Sequence, residues 1–159
     1  MKMKKIIALV LVACMALALC ACGGSSDKDS KEKVVKIGVF EPQSGDNGAG
    51  GKQEILGMQY ANLKTPTVEI GGETYKVELV YADNESDDAK AVTAATDLIS
   101  AGCAVILGSY GSSVAIAAAE TFNSAGVAAI GVTCTNPQVT EGNDSYFRIC
   151  FLDPFQGTV

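Results

Sequence analysis

The feature that most constrains the fold is a regular alternation between short apolar runs and segments with helical periodicity. The apolar runs at 34–40, 103–108, 127–132 and 146–151 are predicted to be β-strands. Those at 103–108 and 127–132 contain no polar residue, which is typical of strands covered by helices on both faces. A hairpin around Gly71-Gly72 leads into a further strand, which makes 67–83 extended. Helices are predicted between the strands at 52–63, 87–101 and 113–125. This order predicts an α/β fold, a doubly wound parallel sheet with helices on both faces.

The predicted helices carry their own boundary signals. Ser86 is predicted to cap the helix at 87–101, whose positive end is favoured by Asp87 and Asp88. Gly102 and Gly126 follow the last periodic residues and end two of the helices. The buried stripe of the helix at 87–101 is predicted to consist of Val92, Ala95, Leu98 and Ile99. One face of the helix at 52–63 carries Leu56, Tyr60 and Leu63.

Residues 1–21 have the layout of a secretory signal peptide. Three lysines open the chain, and sixteen uncharged residues follow at 6–21. A transmembrane helix is the alternative, but it normally needs about 20 apolar residues and this run stops at Gly23. The next polar stretch, which extends to residue 33, is predicted to be a flexible tether.

The end of the leader resembles a bacterial lipobox. The segment Leu19-Cys20-Ala21-Cys22-Gly23 has Leu at position −3, a small residue at −1 and then a cysteine. Cys22 is therefore predicted to be lipidated and to anchor the mature chain, because two acyl chains suffice for lasting attachment. The predicted organisation is a signal peptide at 1–21, a lipid-anchored tether at 22–33 and one domain at 34–159.

Composition excludes several classes of function. Without residues 1–21 the chain has 9 basic and 18 acidic residues, a net charge of −9 that argues against nucleic acid and anionic membrane surfaces as partners. There is no histidine, which removes the Ser-His-Asp arrangement and most zinc sites. No CxxC or other metal-ligand spacing occurs, and no metal or cofactor is predicted. Cys103 opens an apolar run and is predicted to be a buried small hydrophobe.

Three polar, glycine-rich loops follow the carboxyl ends of predicted strands, at 41–51, 109–113 and 133–140. Ligands of open parallel sheets bind at that edge. In Gly108-Ser109-Tyr110-Gly111-Ser112-Ser113, hydroxyl and backbone N–H groups meet a helix N-terminus, which suits a carboxylate or a phosphate. The alternative is that Ser112 or Ser113 only caps the helix.

The third loop, Thr133-Cys134-Thr135-Asn136-Pro137, leaves the neighbouring strand, so its hydroxyls are expected beside those serines. An ordinary Asn-Pro turn is the alternative. The loops contain neither a P-loop nor a GxGxxG pattern, and no evident acid, base or metal ligand. The sequence therefore predicts a site that binds a ligand and does not transform it.

Four segments together resemble a known family: KIGVFEPQSGDNGAGG, VELVYADNESDDAKAVTAATDLIS, ILGSYGSSVAIAAAETFNSAGVAAIGVTCTNPQVT and YFRICFLDPFQG. From about Val34 onward the chain resembles the first lobe of type I periplasmic-binding-fold proteins, in particular the branched-chain amino-acid-type substrate-binding lipoproteins of ABC transporters. The resemblance implies two lobes that close on the ligand. Because only the first is present, the chain is interpreted as an N-terminal fragment, and its half site is expected to bind far more weakly than a complete protein.

The resemblance also implies roles for individual residues. Ser112 would bind the α-carboxylate of an amino acid through its hydroxyl and amide, and Ser113 would add a backbone N–H. Thr135 would contact both carboxylate and ammonium, and the carbonyl of Thr133 would accept from the ammonium. Tyr110 would border the side-chain pocket, together with the Gly48–Gly51 turn.

Two departures from the family pattern stand out. Gly50 occupies the position where the family's best-known members place an aromatic residue in the first loop. The early cysteine pair of those members is missing here, and Cys134 and Cys150 fall near the ends of adjacent strands. Sequence leaves open whether these two cysteines pair or remain free thiols.

The function expected from the resemblance is that of an extracytoplasmic solute-binding component of an ABC importer. It would capture branched-chain amino acids or similar small zwitterions, work with a membrane permease and sit on the outer face of the bacterial membrane through its lipid anchor. The alternatives are a sensory lipoprotein of the same fold and a non-functional truncated product. An enzyme is disfavoured by the missing histidine, the missing GxSxG elbow and the lack of paired acids in the loops.

Overall fold

The alternation read from the sequence is realised in a computed structural model that describes residues 32–158. The predicted signal peptide and Cys22 lie outside the described residues. The strands are β1 (Val34–Glu41), β2 (Thr67–Ile70), β3 (Glu73–Asp83), β4 (Val105–Leu107), β5 (Ala128–Gly131) and β6 (Tyr146–Arg148). The helices are α1 (Gly48–Lys64), α2 (Asp88–Ser100), α3 (Ser112–Ala125) and α4 (Asp153–Gln156), and a 3-10 turn spans Pro137–Val139.

The strands form one sheet in the order β2-β3-β1-β4-β5-β6. The pairs β1–β3, β1–β4, β4–β5 and β5–β6 are parallel, and only the hairpin partner β2 runs antiparallel to β3. After β1 the chain crosses to β3 on one side, and after β3 it crosses back to β4 on the other. The predicted doubly wound α/β sheet is confirmed.

Alternating side chains of β1 enter two different hydrophobic cores. Phe40 belongs to the larger core, which α2 and α3 cover, and its ring meets that of Phe122 edge-on at 5.4 Å. Val39 points to the opposite face, where it packs with Ile55 and Met58 of α1. Each such side chain contributes about 1.5–3 kcal/mol on full burial. The predicted placement of helices on both faces is thereby confirmed.

The structure corrects the predicted features of α2. Its N-cap is Asp87, whose carboxylate accepts from the Lys90 N–H at 2.9 Å, and not Ser86. The Ser86 hydroxyl instead accepts from the backbone N–H of Asn47 at 3.0 Å. Val92 is exposed, because the buried stripe is shifted by one residue. The residues buried on this helix are Ala91, Ala94, Ala95 and Leu98.

Helix α1 begins at Gly48, four residues before its predicted start, and it presents a different face to the sheet than the apolar pattern indicates. The side chains of Leu56, Tyr60 and Leu63 are 57%, 62% and 76% exposed. The buried positions of the helix are Gly48, Gly51, Ile55 and Met58. Two glycines in the contact face explain the difference, because glycine adds nothing to an apolar pattern but permits close approach.

The other helix and strand boundaries in the structure lie close to the predicted ones. Gly126 ends α3 in the left-handed conformation (φ 67°), as predicted. The last strand is limited to Tyr146–Arg148, so residues 149–151 of the predicted strand lie outside it. Within residues 32–158, none of the helices combines the length and the apolar character that a membrane crossing requires.

Candidate functional site

The site is built where the direction of winding reverses. Strands β1 and β4 are neighbours, yet β1 leads into α1 on one face of the sheet and β4 leads into α3 on the other. The connections that leave their carboxyl ends therefore run to opposite faces of the sheet, and the crevice between such connections is the usual ligand position in open α/β sheets. Three segments border it: the first loop (42–47), the second loop (108–111) and the third loop (132–145).

The second loop is held from below by buried hydrogen bonds. The Ser109 hydroxyl accepts from Asn84 Nδ2 at 2.9 Å, and both residues are fully buried. The Ser109 carbonyl accepts from the thiol of Cys134 at 2.7 Å, and the Gly108 carbonyl accepts from the hydroxyl of Tyr146 at 2.8 Å. These partners come from three different elements, so the loop has a single well-defined course.

Helix α3 starts immediately after this loop with an uncapped first turn. Its N-cap is Gly111 (φ 107°), which has no side chain, so the alternative that Ser112 or Ser113 serves only as the cap is wrong. Ser112 and Ser113 are the first two helical residues, and Ser113 is exposed. The first N–H groups of a helix lack intrahelical acceptors and lie at the positive end of its dipole. This end of α3 can therefore accept an anionic group.

The third loop comes to lie beside the start of α3, as expected for loops that leave adjacent strands. The Ser112 hydroxyl accepts from the backbone N–H of Asn136 at 3.2 Å. Since a hydroxyl can accept and donate at once, this contact leaves the Ser112 O–H free to donate to a ligand. Thr135 is half-buried beside Asn136, and its carbonyl accepts from the Asp153 N–H at 2.9 Å.

Thr133 is exposed and its hydroxyl is directed to α1. It donates to Oε1 of Glu54 at 2.5 Å. Glu54 in turn lies beside Glu41, the last residue of β1, which is fully buried and accepts the Tyr110 N–H at 2.7 Å. Sequence reasoning missed both acids: it assigned Glu41 to the first loop, whereas the structure makes it the last residue of β1, and nothing in the pattern shows that a glutamate at the end of a strand is buried.

Tyr110 takes the place next to α1 where a side chain at position 50 would otherwise project. A Cβ atom built on Gly50 would lie 2.5–2.7 Å from three atoms of the Tyr110 ring. The Tyr110 ring of the second loop therefore covers the surface that Gly50 leaves open. Tyr110 is 37% exposed, so part of its side chain remains accessible to solvent.

The first loop is fastened to β3 by Asp83. Its carboxylate accepts from the N–H of Gln43 at 2.7 Å, from the Ser44 hydroxyl at 2.8 Å and from the Glu85 N–H at 2.9 Å. Burial alone would raise the pKa of Asp83, but these hydrogen bonds lower it below its ordinary value. Asp83 is thus ionised across the neutral range and keeps the loop in place.

Arg148 organises the third loop, which sequence reasoning also missed. Its guanidinium donates to the carbonyls of Cys134 and Asn136, both at 2.9 Å, to that of Pro137 at 3.0 Å and to the Thr140 hydroxyl at 2.6 Å. The loop is therefore shaped by a cation at its centre and is more than an Asn-Pro turn.

Cys103, Cys134 and Cys150 are free thiols in the structure. The sequence left open whether Cys134 and Cys150 form a disulfide or remain free thiols, and in the structure they are free thiols. Burial raises the pKa of Cys134 to about 12, so this thiol is protonated at neutral pH. Cys103 is buried, as predicted. Over residues 32–158 no three His, Cys, Asp or Glu side chains come together in a way that could hold a metal ion.

Comparison with known proteins agrees with this geometry. The family model described as periplasmic binding protein matches residues 34–156. An amino acid binding protein of Pseudomonas aeruginosa is 37% identical over 148 residues, which are 91% of this chain and 38% of that protein. The crystal structure of a leucine binding protein, LivK, from Thermotoga maritima superimposes with a TM-score of 0.72 at 37% identity, covering 78% of this chain and 35% of that one.

A second crystal structure extends the comparison to a protein with a bound ligand. The branched-chain amino acid transporter substrate binding protein LivJ from Streptococcus pneumoniae, in complex with isoleucine, superimposes with a TM-score of 0.68 at 30% identity. The match covers 76% of this chain and 35% of that one. This chain thus spans little more than a third of the length of these proteins.

The fold and the site define an α/β lobe with a candidate ligand site at the edge of a doubly wound sheet. The chain belongs to the periplasmic binding protein family. Because that family consists of solute-binding proteins, the prediction that the chain is not an enzyme is confirmed.

Proposed function

We propose that this chain is the first lobe of the extracytoplasmic solute-binding component of an ABC importer, and that it captures an amino acid through the ligand's zwitterionic head. The observation that carries the proposal is the contact between the Ser112 hydroxyl and the Asn136 N–H, which joins the start of α3 to the third loop. The contact supports the proposal because it brings the Ser112 hydroxyl, at the positive end of α3, next to the backbone of the third loop.

The arrangement suits the two charges of a zwitterion separately. The carboxylate would lie at the start of α3, where it would accept from the free O–H of Ser112 and from the N–H groups of the first turn, Ser113 included. The ammonium would lie toward the third loop, where the Thr133 carbonyl and the Thr135 hydroxyl offer acceptors. Helix dipole and carbonyl groups then complement opposite ends of one ligand.

The side chain of the ligand would lie against Tyr110. An aromatic ring beside the glycine surface of α1 offers apolar contact without charge, which favours an aliphatic side chain over a charged one. The similarity to the leucine-binding and isoleucine-bound proteins supports the same choice. A branched-chain amino acid or a similar small zwitterion is accordingly the proposed ligand class.

The proposed cellular setting comes from the first residues of the chain. A signal peptide at 1–21 would export the protein, and a lipid on Cys22 would hold it at the outer face of the bacterial membrane. A tether at 22–33 would let the lobe reach an ABC permease in that membrane. The basic start, the apolar run, the lipobox pattern and the polar tether support this proposal.

The proposal is tested by titrating the purified chain with L-leucine and following backbone amide shifts by NMR. The first turn of α3 and the third loop should shift, with a dissociation constant weaker than micromolar, because the open site excludes little water. Ser112→Ala should weaken binding by about tenfold or more, since it removes a hydrogen bond to a charged group. Ser112→Thr should restore part of the affinity by restoring a hydroxyl.

Ser124→Ala is the matched control. Ser124 lies at the other end of the same helix, where its hydroxyl donates to Glu120. The Ser124→Ala variant should bind leucine with the affinity of the unaltered chain. Shifts confined to other parts of the lobe, or equal effects of the substitutions at 112 and 124, would rule out this site. Micromolar binding by calorimetry would contradict the expected weakness of the open lobe.

A further inference from the structure

Two glutamates connect the loops that border the crevice. Glu41 ends β1 and holds the second loop, because its Oε2 accepts the Tyr110 N–H at 2.7 Å. Glu54 lies on α1 and holds the third loop, because its Oε1 accepts from the Thr133 hydroxyl at 2.5 Å. The two carboxyl groups are within hydrogen-bonding reach of each other. A continuous chain of contacts therefore runs from one ligand loop to the other.

Each carboxyl group has one oxygen that accepts no hydrogen bond. Oε1 of Glu41 and Oε2 of Glu54 are buried and have no hydrogen-bond donor among the described residues. Buried polar atoms are normally paired, and two adjacent carboxylates would repel each other strongly in such a place. A single proton between the two groups would pair both oxygens and remove the repulsion at once.

The titratable groups that interact with Glu41 supply no positive charge. They are the Cys134 thiol of the third loop and the Tyr146 phenol of β6, besides Glu54 of α1, and the Tyr110 N–H donates to Glu41 from the second loop. Burial and the neighbouring Glu54 raise the pKa of Glu41 from 4.5 to about 10, against a smaller opposite effect of the Tyr110 N–H. A neutral, protonated Glu41 fits these surroundings.

We propose that Glu41 and Glu54 share one proton and that this pair positions the second and third loops for ligand binding. The positioning role rests on the proposed function, whereas the shared proton does not. Both residues act through Tyr110 and Thr133 and are positioning residues.

The pair makes the site sensitive to alkaline pH. The folded chain binds a proton that the unfolded chain releases above about 4.5, so folding stability falls as the pH rises from there toward about 10. Loss of the proton would leave two facing carboxylates, and the contacts to Tyr110 and Thr133 would separate. Leucine affinity should therefore fall on the alkaline side, where the ligand loops lose their alignment.

The shared proton is tested on the purified chain without ligand. At neutral pH, infrared spectra should contain the carbonyl band of a protonated carboxylic acid, and Glu41→Gln should abolish it. Urea unfolding from pH 5 to 9 should show stability falling with pH in the unaltered chain and a flatter profile in E41Q. Glu141→Gln, at an exposed position, is the control and should change neither result. Absence of the band, or equal pH profiles for E41Q and the unaltered chain, would overturn the proposal.

The positioning role is tested by hydrogen exchange at the Tyr110 amide. Glu41→Ala should speed this exchange by about tenfold or more, because its acceptor is lost and local opening becomes easier. Glu41→Gln keeps an acceptor oxygen and should stay close to the unaltered chain. Equal exchange in all three chains would exclude positioning. If no chain binds leucine while the band and the exchange results hold, the proposed ligand fails and the proton-sharing pair stands.

Discussion

Arg148 is the single arginine of the sequence, and its guanidinium reaches four acceptors within the third loop. An arginine is suited to this role because its planar group presents five donors in a fixed fork. The carbonyls of Asn136 and Pro137 also accept from backbone N–H groups of the same loop, whereas that of Cys134 has no other donor among the described residues. One side chain thus determines the course of the segment that carries Thr133 and Thr135.

Arg148→Lys should therefore be destabilising although the charge is kept. A lysine ammonium cannot reach the same set of acceptors, so at least one carbonyl loses its partner. We expect a loss of about 1–3 kcal/mol in the free energy of unfolding, measured with urea. Lys90→Arg, at an exposed position of α2, should change stability little. Equal effects of the two substitutions would mean that the contacts of Arg148 do not stabilise the loop.

Gly50 and Gly57 allow a matched test of the Tyr110 position. Both lie on α1, but a Cβ on Gly50 would meet the Tyr110 ring while one on Gly57 would meet nothing within 4 Å. Gly57→Ala should stabilise the chain by about 0.5–1 kcal/mol, because alanine restricts the unfolded chain and favours helix. Gly50→Ala should stabilise the chain less than Gly57→Ala does, or destabilise it. The NMR shifts of the Tyr110 ring should change in G50A and stay unchanged in G57A. An unchanged Tyr110 in G50A would refute the contact.

At the scale of the element, α1 shows how a helix can dock through its smallest residues. Gly51 is buried so closely that a Cβ would lie 2.1 Å from the Pro42 carbonyl oxygen. The close approach brings Ile55 and Met58 against the sheet and turns Leu56 outward. Neighbouring positions of one helix therefore have opposite environments.

Truncation of adjacent residues on α1 should affect stability differently on the buried and on the exposed face of the helix. Ile55→Ala removes a buried side chain and should cost about 2–5 kcal/mol in the free energy of unfolding, through lost burial and the cavity left behind. Leu56→Ala should change it by no more than about 0.5 kcal/mol, because that side chain is exposed. Chemical denaturation of both variants under identical conditions measures the difference. A larger loss for Leu56→Ala would show that α1 is rotated about its axis.

At the scale of the whole molecule, the sequence patterns predicted the sheet with helices on both faces, but they did not predict which glycines and polar residues are buried. Strands β4 and β5 were predicted because their residues are apolar without interruption, and β1 because it is apolar and β-branched apart from Lys36. Local sequence carries both patterns. The buried face of α1 was not, since Gly48 and Gly51 give no apolar signal. The burial of Glu41 was missed for a related reason, because it depends on segments far away in the chain.

The candidate site was predicted to a similar degree. That Ser112 would lie near the third loop follows from the order of β4 and β5, and the structure shows the contact. That Arg148 shapes this loop, and that Tyr110 fills the space above Gly50, depends on side-chain directions that no spacing rule contains. The roles of Tyr110, Ser112, Ser113, Thr133 and Thr135 toward a ligand remain predictions.

The strand order has a consequence for how the chain reaches its native state. β1 is a central strand, and both of its neighbours come much later: Val34 pairs with Lys76, and Ile37 with Val105. Both edges of β1 therefore remain unpaired until β3 and β4 have formed. Such non-local pairing slows folding and exposes the strand to aggregation in the meantime. A chaperone that covers β1 until residues 76–107 have been made is expected to reduce this aggregation.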